Sequence, residues 1–494
     1  MSLGMIGLLV DVVAQAPRTT AIWDAERSLT YGELGDTASK IAAAIPSSSS
    51  APFVAILAER GEAAYTAMLG ALWSGRGFSP LDPAFPEART LRMLDRSVAD
   101  VLVADPIHLE AAHELATECE RAVTVLCTDD LPATGIDPQP AGELAYLLFT
   151  SGSTGEPKGV AITHANAVPY IGYITSRFGL GPEDRCSQAW PLTSDASVHD
   201  VFCTWSAGAS LVPFTRTHLM QPGARINEAE VTVWFSVPSV AMVMRRLRAL
   251  KPGALPSLRW SMFCGEALPV ATARAWAAAA PNGPVVNLYG PTEATVSFTE
   301  HIFDTQLSDD VYRAGMVPIG RPFPGLDVAI DDNGELLLGG PQVAPGYWNA
   351  PELTAERFVA LPGREGCWYR TGDVVERDKD DVLHFLGRVD GQIKIHGHRI
   401  EVQEVDTALR DAVGHDLALA IPYPVTAEGV QGLVACIEES DPQAGTHETV
   451  LKHCRQVLAP YMVPSRVVSV AQIPLNSNGK LDRGACVPLI EAAQ

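Results

Sequence analysis

Thr150-Ser151-Gly152-Ser153-Thr154-Gly155-Glu156-Pro157-Lys158-Gly159 follows directly on Leu144-Ala145-Tyr146-Leu147-Leu148-Phe149. The hexapeptide is apolar throughout and bounded by turn residues, which reads as a buried strand. The glycines behind it let the backbone turn N–H groups inward into an anion-binding concavity, the hydroxyls add donors, and Lys158 adds a charge. A loop in this position, just past a buried strand, is where open α/β sheets place ligands. The lysine is not followed by Ser or Thr, so this is not the Walker A pattern. A solvated surface loop with an incidental lysine is the alternative, and the density of donors behind a strand speaks against it.

Working outward, residues 1–389 alternate short apolar runs with helical patterns, as stacked α/β layers do. Pro269 to Ala280 predicts an Ala-rich helix stopped by Pro281, and Leu3 to Val13 an amphipathic helix lying on this first domain. Asp390-Gly391 is a turn dipeptide, and beyond it the pattern becomes a compact α+β module. There Val402, Val405, Leu409 and Val413 share a helical face that Gly414 ends. Strands are expected over Leu417–Ile421 and Leu433–Ile437, and a helix over His447–Leu458. The fold expected is therefore α/β, with a large N-terminal domain over 1–389 and a small α+β domain over 390–494. A chain of 494 residues exceeds what one core usually serves, in keeping with two domains.

The formal net charge of -22 repels nucleic acid and anionic membranes, so neither is expected as a partner. A bound polyanion must then be held by a few placed cations and backbone amides. The nine cysteines form no C-x-x-C pair, which predicts reduced thiols in a cytoplasmic protein. No basic-flanked leader and no span of about 20 apolar residues is present.

Nine further blocks join the Gly-rich loop in one order, from Leu29-Thr30-Tyr31-Gly32-Glu33-Leu34 to Asn478-Gly479-Lys480-Leu481-Asp482-Arg483. Over nearly its whole length the chain resembles the adenylate-forming enzymes, the superfamily of acyl-CoA synthetases, luciferases and adenylation domains. Within it the likeness is to the stand-alone adenylation enzymes of nonribosomal peptide and D-alanine-transfer systems. The resemblance implies the adenylate-forming fold, with ATP and Mg²⁺ as cofactors. It places Thr150, Ser151, Gly152, Ser153, Thr154, Gly155 and Lys158 around the phosphates. Gly265 and Glu266, and Asn287, Leu288, Tyr289 and Gly290 of Asn287-Leu288-Tyr289-Gly290-Pro291-Thr292-Glu293, complete the nucleotide site, with Tyr289 stacked on adenine. Thr292 would bond the α-phosphate, and Glu293 would hold the metal, a hard cation wanting carboxylate oxygen. Asp373 of Tyr369-Arg370-Thr371-Gly372-Asp373 would accept from both ribose hydroxyls, with Arg388 nearby. Asp390 matches the hinge of the small domain, and Lys480 the lysine that reaches the reacting acyl–phosphate. Taken alone, Thr292 reads as a helix cap, Asp373 as a turn aspartate and Lys480 as a solvated turn residue.

Asp195 matches the aspartate that binds the α-ammonium in amino-acid-activating members, although Ser194 stands where the family usually has Phe. A loop aspartate capping a helix is the other reading. The same alignment lines the side-chain pocket with Ala196, His199, Ser236, Met262, Cys264, Leu288, Val296 and Ser297, a small to medium cavity of modest polarity. Cys264 and His396 resemble the D-alanine-activating branch, so D-alanine stands beside glycine, serine, L-alanine and proline as a candidate. No carrier motif follows Arg483, so the resemblance implies transfer to the phosphopantetheine thiol of a separate carrier protein, as in antibiotic or cell-wall assembly. An acyl- or aryl-CoA ligase, and a non-catalytic nucleotide-binding relative, are the competing readings. Arg245, Arg246, Arg248 and Lys251 read as a solvated basic helix face or a carrier contact.

Overall fold

The computed structural model describes residues 2–152, 156–309, 312–389, 392–426, 429–438, 447–474 and 481–493. The chain divides into two compact units: Met1–Asp82, Leu94–Phe149 and Gly159–Val389 form one; Pro83–Met93, Thr150–Lys158 and Asp390–Gln494 form the other. The two short N-terminal segments in the second unit have a physical anchor. Arg89 and Glu404, both almost fully buried, pair at 2.5 Å, and Ser151 donates to the carbonyl of Arg399 at 2.8 Å.

In the first unit a nine-stranded sheet runs Arg321–Pro322, Thr299–Ile302, Val285–Tyr289, Trp260–Phe263, Val233–Ser236, Arg185–Gln188, Ser210–Pro213, Thr20–Ile22, Leu29–Thr30. Its middle strands are parallel and its edges antiparallel. The parallel strands are buried, with Val233–Ser236 and Val285–Tyr289 covered along their whole length, as strands shielded on both faces must be. A six-stranded sheet orders Thr124–Cys127, Val101–Ala104, Phe53–Leu57, Gly77–Leu81, Leu144–Thr150, Lys158–Thr163. An antiparallel sheet is built from Asp327–Ile330, Glu335–Gly339, Trp368–Arg377, Phe358–Val359 and Leu383–Arg388. The expected helix at 269–280 is Val270–Ala279, and the N-terminal one is Gly7–Gln15 after a short turn at Gly4–Ile6.

In the second unit, Ala418–Pro422 pairs antiparallel with Leu433–Glu438, which pairs parallel with Val467–Val470. The helix Val402–Val413 buries Val402, Val405 and Leu409 against this sheet and ends on Gly414, whose φ of 75° is the left-handed cap that glycine takes without steric cost. Helices His447–Val457 and Arg483–Ala492 complete the unit. Among the described residues no helix is long and apolar enough to cross a membrane.

Candidate active site

The parallel strands of the large sheet end together, and the expected acid-binding residues sit at those ends. Ser236 closes its strand, Met262 lies on the next, Cys264 follows immediately, and Leu288 and Tyr289 close the third. The chain then folds back on itself, with the Phe298 amide donating to the Tyr289 carbonyl at 2.7 Å. A Cβ at Gly290 would lie 2.6 Å from the Cα of Ser297, so only glycine lets the return segment pass this closely. Val296 and Ser297 come from that segment, Ala196 and His199 from the helical stretch after residue 195. All eight expected pocket residues are buried.

Their chemistry differs from the simple lining that the sequence suggests. The Ser236 hydroxyl is committed elsewhere, accepting from Trp234 Nε1 at 2.9 Å and donating to the Val237 carbonyl at 3.1 Å. His199 Nδ1 lies 2.7 Å from the Tyr170 hydroxyl, which lies 3.2 Å from Ser297 Oγ, and Phe235 packs on the imidazole at 4.3 Å. Burial pushes His199 down to about 3, so the ring is neutral at physiological pH. Tyr170, on the helix His164–Arg177, carries no sequence motif and was not an expected site residue.

Asp195 stands at the edge of this cluster. It precedes the short turn Ala196–Val198 but gives it no side-chain cap, which sets aside the capping role. Its Oδ2 is sealed from solvent and has no hydrogen-bond partner among the described residues. Burial, and then the nearby Glu293 carboxylate, push its pKa up to about 6 against the pull of the Thr292 hydroxyl and the amides of Ala196 and Val296. A buried carboxylate oxygen with nothing to accept from is costly. The group that would repay that cost is a cation.

Glu293 is fully buried and its Oε1 accepts from the Tyr347 hydroxyl at 2.8 Å. Among the described residues no group of three or more His, Cys, Asp or Glu side chains is placed to hold a metal. One carboxylate still fits Mg²⁺, which is commonly held by one or two carboxylates with phosphates and water supplying the rest. Just beyond Glu293, Thr295 and Val296 have φ of 59° and 67°. Left-handed backbone at a β-branched residue is an outlier costing on the order of 1–3 kcal/mol, and it persists where the surroundings over-determine it.

Of the expected nucleotide residues of the first unit, Tyr289, Asp373 and Arg388 meet. The Tyr289 hydroxyl donates to Asp373 Oδ2 at 2.5 Å, and Arg388 pairs with Asp373 Oδ1 while donating to the Thr371 carbonyl at 3.1 Å. Strand register sets this up, since Asp373 lies opposite Arg388. Asn287 Nδ2 donates to the Pro318 carbonyl at 2.9 Å, and its Oδ1 is buried with no partner among the described residues. Glu266 accepts from the Ser239 amide at 2.9 Å, in the first turn of the helix Pro238–Arg246, and Gly265 takes φ 89° with Trp190 close by. Of the basic cluster, Arg246, Arg248 and Lys251 are exposed at and beyond the end of that helix.

In the second unit the described parts of the Gly-rich loop face carboxylates. Lys158 Nζ lies 3.7 Å from Glu401 Oε1, and the Gly152 amide donates to Glu404 Oε2 at 3.3 Å. Thr150 Oγ1 is buried without a partner among the described residues. Ser153, Thr154, Gly155, Asp390 and Lys480 lie outside the described residues.

The model of the AMP-binding enzyme family matches residues 9–348, and that of the AMP-binding enzyme C-terminal domain matches 410–480. Tyrocidine synthase 3 of Brevibacillus parabrevis is 32% identical over 97% of this chain, which spans 8% of that protein. The AMB antimetabolite synthetase AmbB of Pseudomonas aeruginosa is 33% identical over 98% of the chain, which spans 39% of it. The chain thus covers well under half the length of either. The D-alanine--D-alanyl carrier protein ligase of Bacillus licheniformis is 30% identical, over 94% of this chain and 95% of its own length. Among solved structures, the Vibrio cholerae adenylation domain AlmE in complex with glycyl-adenosine-5'-phosphate superposes with a TM-score of 0.89 at 30% identity, covering 100% of this chain and 98% of that one. With both family models matched in order and the fold shared end to end, the chain belongs to the AMP-binding enzymes, with the adenylate-forming fold.

Proposed function

We propose that this chain joins a small amino acid to AMP at the expense of ATP and passes the aminoacyl group to the phosphopantetheine thiol of a separate carrier protein. The observation that carries the amino-acid reading is Asp195: a carboxylate with one sealed, unpartnered oxygen is matched by an α-ammonium and by little else. A fatty or aryl acid would leave that oxygen as costly as before. The relative named as a carrier protein ligase, similar over nearly its whole length, supports the carrier as acceptor. We place the reaction in the cytoplasm, where ATP is available.

In the first step an oxygen of the substrate carboxylate attacks the α-phosphorus. The new O–P bond forms as the bond to the leaving pyrophosphate breaks, giving aminoacyl-AMP. Two anions must be brought together, so positioning and charge stabilisation supply the rate. Asp195 fixes the ammonium, and Ala196, His199, Met262, Cys264, Leu288, Val296 and Ser297 enclose the side chain. Tyr289 offers its ring to adenine, and Asp373 and Arg388 take the ribose. Ser151, Gly152, Lys158 and Thr292 bond phosphate oxygens. Mg²⁺, held by Glu293, would supply charge neutralisation at the phosphates when bound. Lys480 reaches the reacting acyl–phosphate, and Asp390 is the hinge that separates the two half-reactions over domains 1–389 and 390–494. In the second step the thiolate attacks the acyl carbon and AMP leaves.

Amino-acid-dependent ATP–pyrophosphate exchange over a panel of small D- and L-amino acids tests the reading. Exchange with at least one of them, and its loss in Lys480→Ala, is expected. Exchange stimulated only by fatty or aromatic acids would overturn it.

A further inference from the structure

The left-handed pair Thr295–Val296 sits between Glu293 and Ser297, inside the segment that supplies Val296 and Ser297 to the proposed acid pocket. Two successive β-branched residues do not hold such angles unaided. What holds them is Gln342, which is distant in sequence, buried, and part of none of the motifs. Its Nε2 donates to the Ser297 carbonyl at 2.8 Å and lies within 3.3 and 3.4 Å of the carbonyls of Ala294 and Thr295. Its own carbonyl accepts from Thr295 Oγ1 at 2.6 Å. One side chain and one carbonyl therefore clasp the strained turn from both sides.

The clasp is itself anchored. Asn166 Nδ2 donates to the carbonyls of Pro341 and Val343, on either side of Gln342, at 2.7 and 3.0 Å. Asn166 is fixed in turn, because its Oδ1 accepts from the amide and hydroxyl of Thr163 at the start of the helix His164–Arg177. At the other edge of the turn the Val296 amide is one of the groups directed at the Asp195 carboxylate. The Glu293 carbonyl is held by the Ala344 amide at 2.9 Å, two residues beyond Gln342. Hydrogen bonds thus run from the helix through residues 341–343 to the turn that carries the Val296 amide.

We infer that Gln342 is a positioning residue for acid binding: it keeps Thr295–Val296 left-handed so that the Val296 amide meets Asp195 and Ser297 faces the pocket. This rests on the proposed amino-acid activation. Gln342→Met keeps the length and burial of the side chain and removes the donor. In that variant the exchange KM for the amino acid should rise about tenfold or more, as small misplacements at a reacting group do, while the KM for ATP stays within about twofold. A second change, Thr295→Gly, supplies a residue that accepts the left-handed region without the clasp. Added to Gln342→Met, it should recover a large part of the lost affinity.

Thermal melting of each variant separates folding from positioning. A Gln342→Met protein that melts earlier but keeps both KM values would overturn the inference, as would equal rises in both, or a double variant no better than the single. Wild-type protein showing no exchange with any amino acid would instead overturn the reading beneath it.

Discussion

The proposed acid side and the proposed nucleotide side of the first unit solve one problem in opposite ways. Both bury a carboxylate. Asp373 is satisfied within the protein, by Tyr289 on one oxygen and Arg388 on the other. Asp195 is left with an oxygen that nothing among the described residues addresses. In the first arrangement both oxygens are paired within the protein, so a ribose hydroxyl, on the proposed reading, would share or displace existing bonds. The second carries an unmet demand that a ligand satisfies. On the proposed reading, a site built this way would select by charge on the acid side and by prearranged geometry on the nucleotide side.

The comparison breaks first, and hardest, at Asp195. Asp195→Ala should lower kcat/KM for the amino acid by about 10²–10³-fold, the scale expected when one partner of a buried charge pair is removed, with the KM for ATP little changed. The raised pKa gives the pH dependence its sign. Asp195 must be ionised to pair with the ammonium, so kcat/KM should fall as pH drops through about 6, and Asp195→Asn should lack that limb. Stability runs the other way. A carboxyl whose folded pKa is raised binds its proton more tightly in the native state, so its favourable contribution is present in acid and lost as pH rises through about 6. Melting curves from pH 4 to 7 should accordingly show Asp195→Asn gaining on wild type as pH increases. A parallel pair of curves would remove the asymmetry between the two sites.

How much of this was legible in the sequence follows from how far apart the partners lie. The strand before the Gly-rich loop and the helix from Val402 to Val413 were legible because their patterns are local: an unbroken apolar run in one, a repeating face and a glycine stop in the other. The meeting of the site blocks was legible only through family resemblance. Tyr170 and Ser297 are 127 residues apart, Tyr347 and Glu293 54, and Gln342 and Ser297 45. No periodicity joins such pairs, since tertiary packing alone brings them together. The commitment of the Ser236 hydroxyl to Trp234 was equally hidden, because a serine at a strand end looks the same whether it faces a ligand or a neighbour. The segment Pro83–Met93 joins the C-terminal module through Arg89, paired with Glu404, and Phe85, edge-on to Tyr461, and composition distinguishes neither from other arginines and phenylalanines.

Asp373→Asn should cost less than the loss of Asp195. It keeps the shape but gives up a charge-assisted pair with Arg388, which corresponds to about 1.5–3 kcal/mol and hence roughly a 10- to 150-fold rise in the KM for ATP. The amino-acid KM should stay near the wild-type value. Dual-substrate titration of pyrophosphate exchange reads both constants at once. A variant that raised the two together would mean that the acid and nucleotide sides are one coupled network.

The smallest effect expected, and the one that sharpens the contrast most, is that of Tyr289→Phe. The ring stays to stack on adenine, and Arg388 still holds Asp373, so the change deletes one neutral donor from a carboxylate that keeps its charged partner. A hydrogen bond of that kind is worth about 0.5–1.5 kcal/mol net, which corresponds to a rise of roughly 2- to 13-fold in the KM for ATP. Because burial and the adjacent carboxylate hold the Tyr289 phenol well above its ordinary range, the loss should be the same at pH 7 and pH 9. A cost as large as that of Asp373→Asn would place the hydroxyl directly on the nucleotide, and the bond to Asp373 would then be a resting partner given up on binding. The nucleotide side would in that case hold a donor in reserve, as the acid side holds an acceptor.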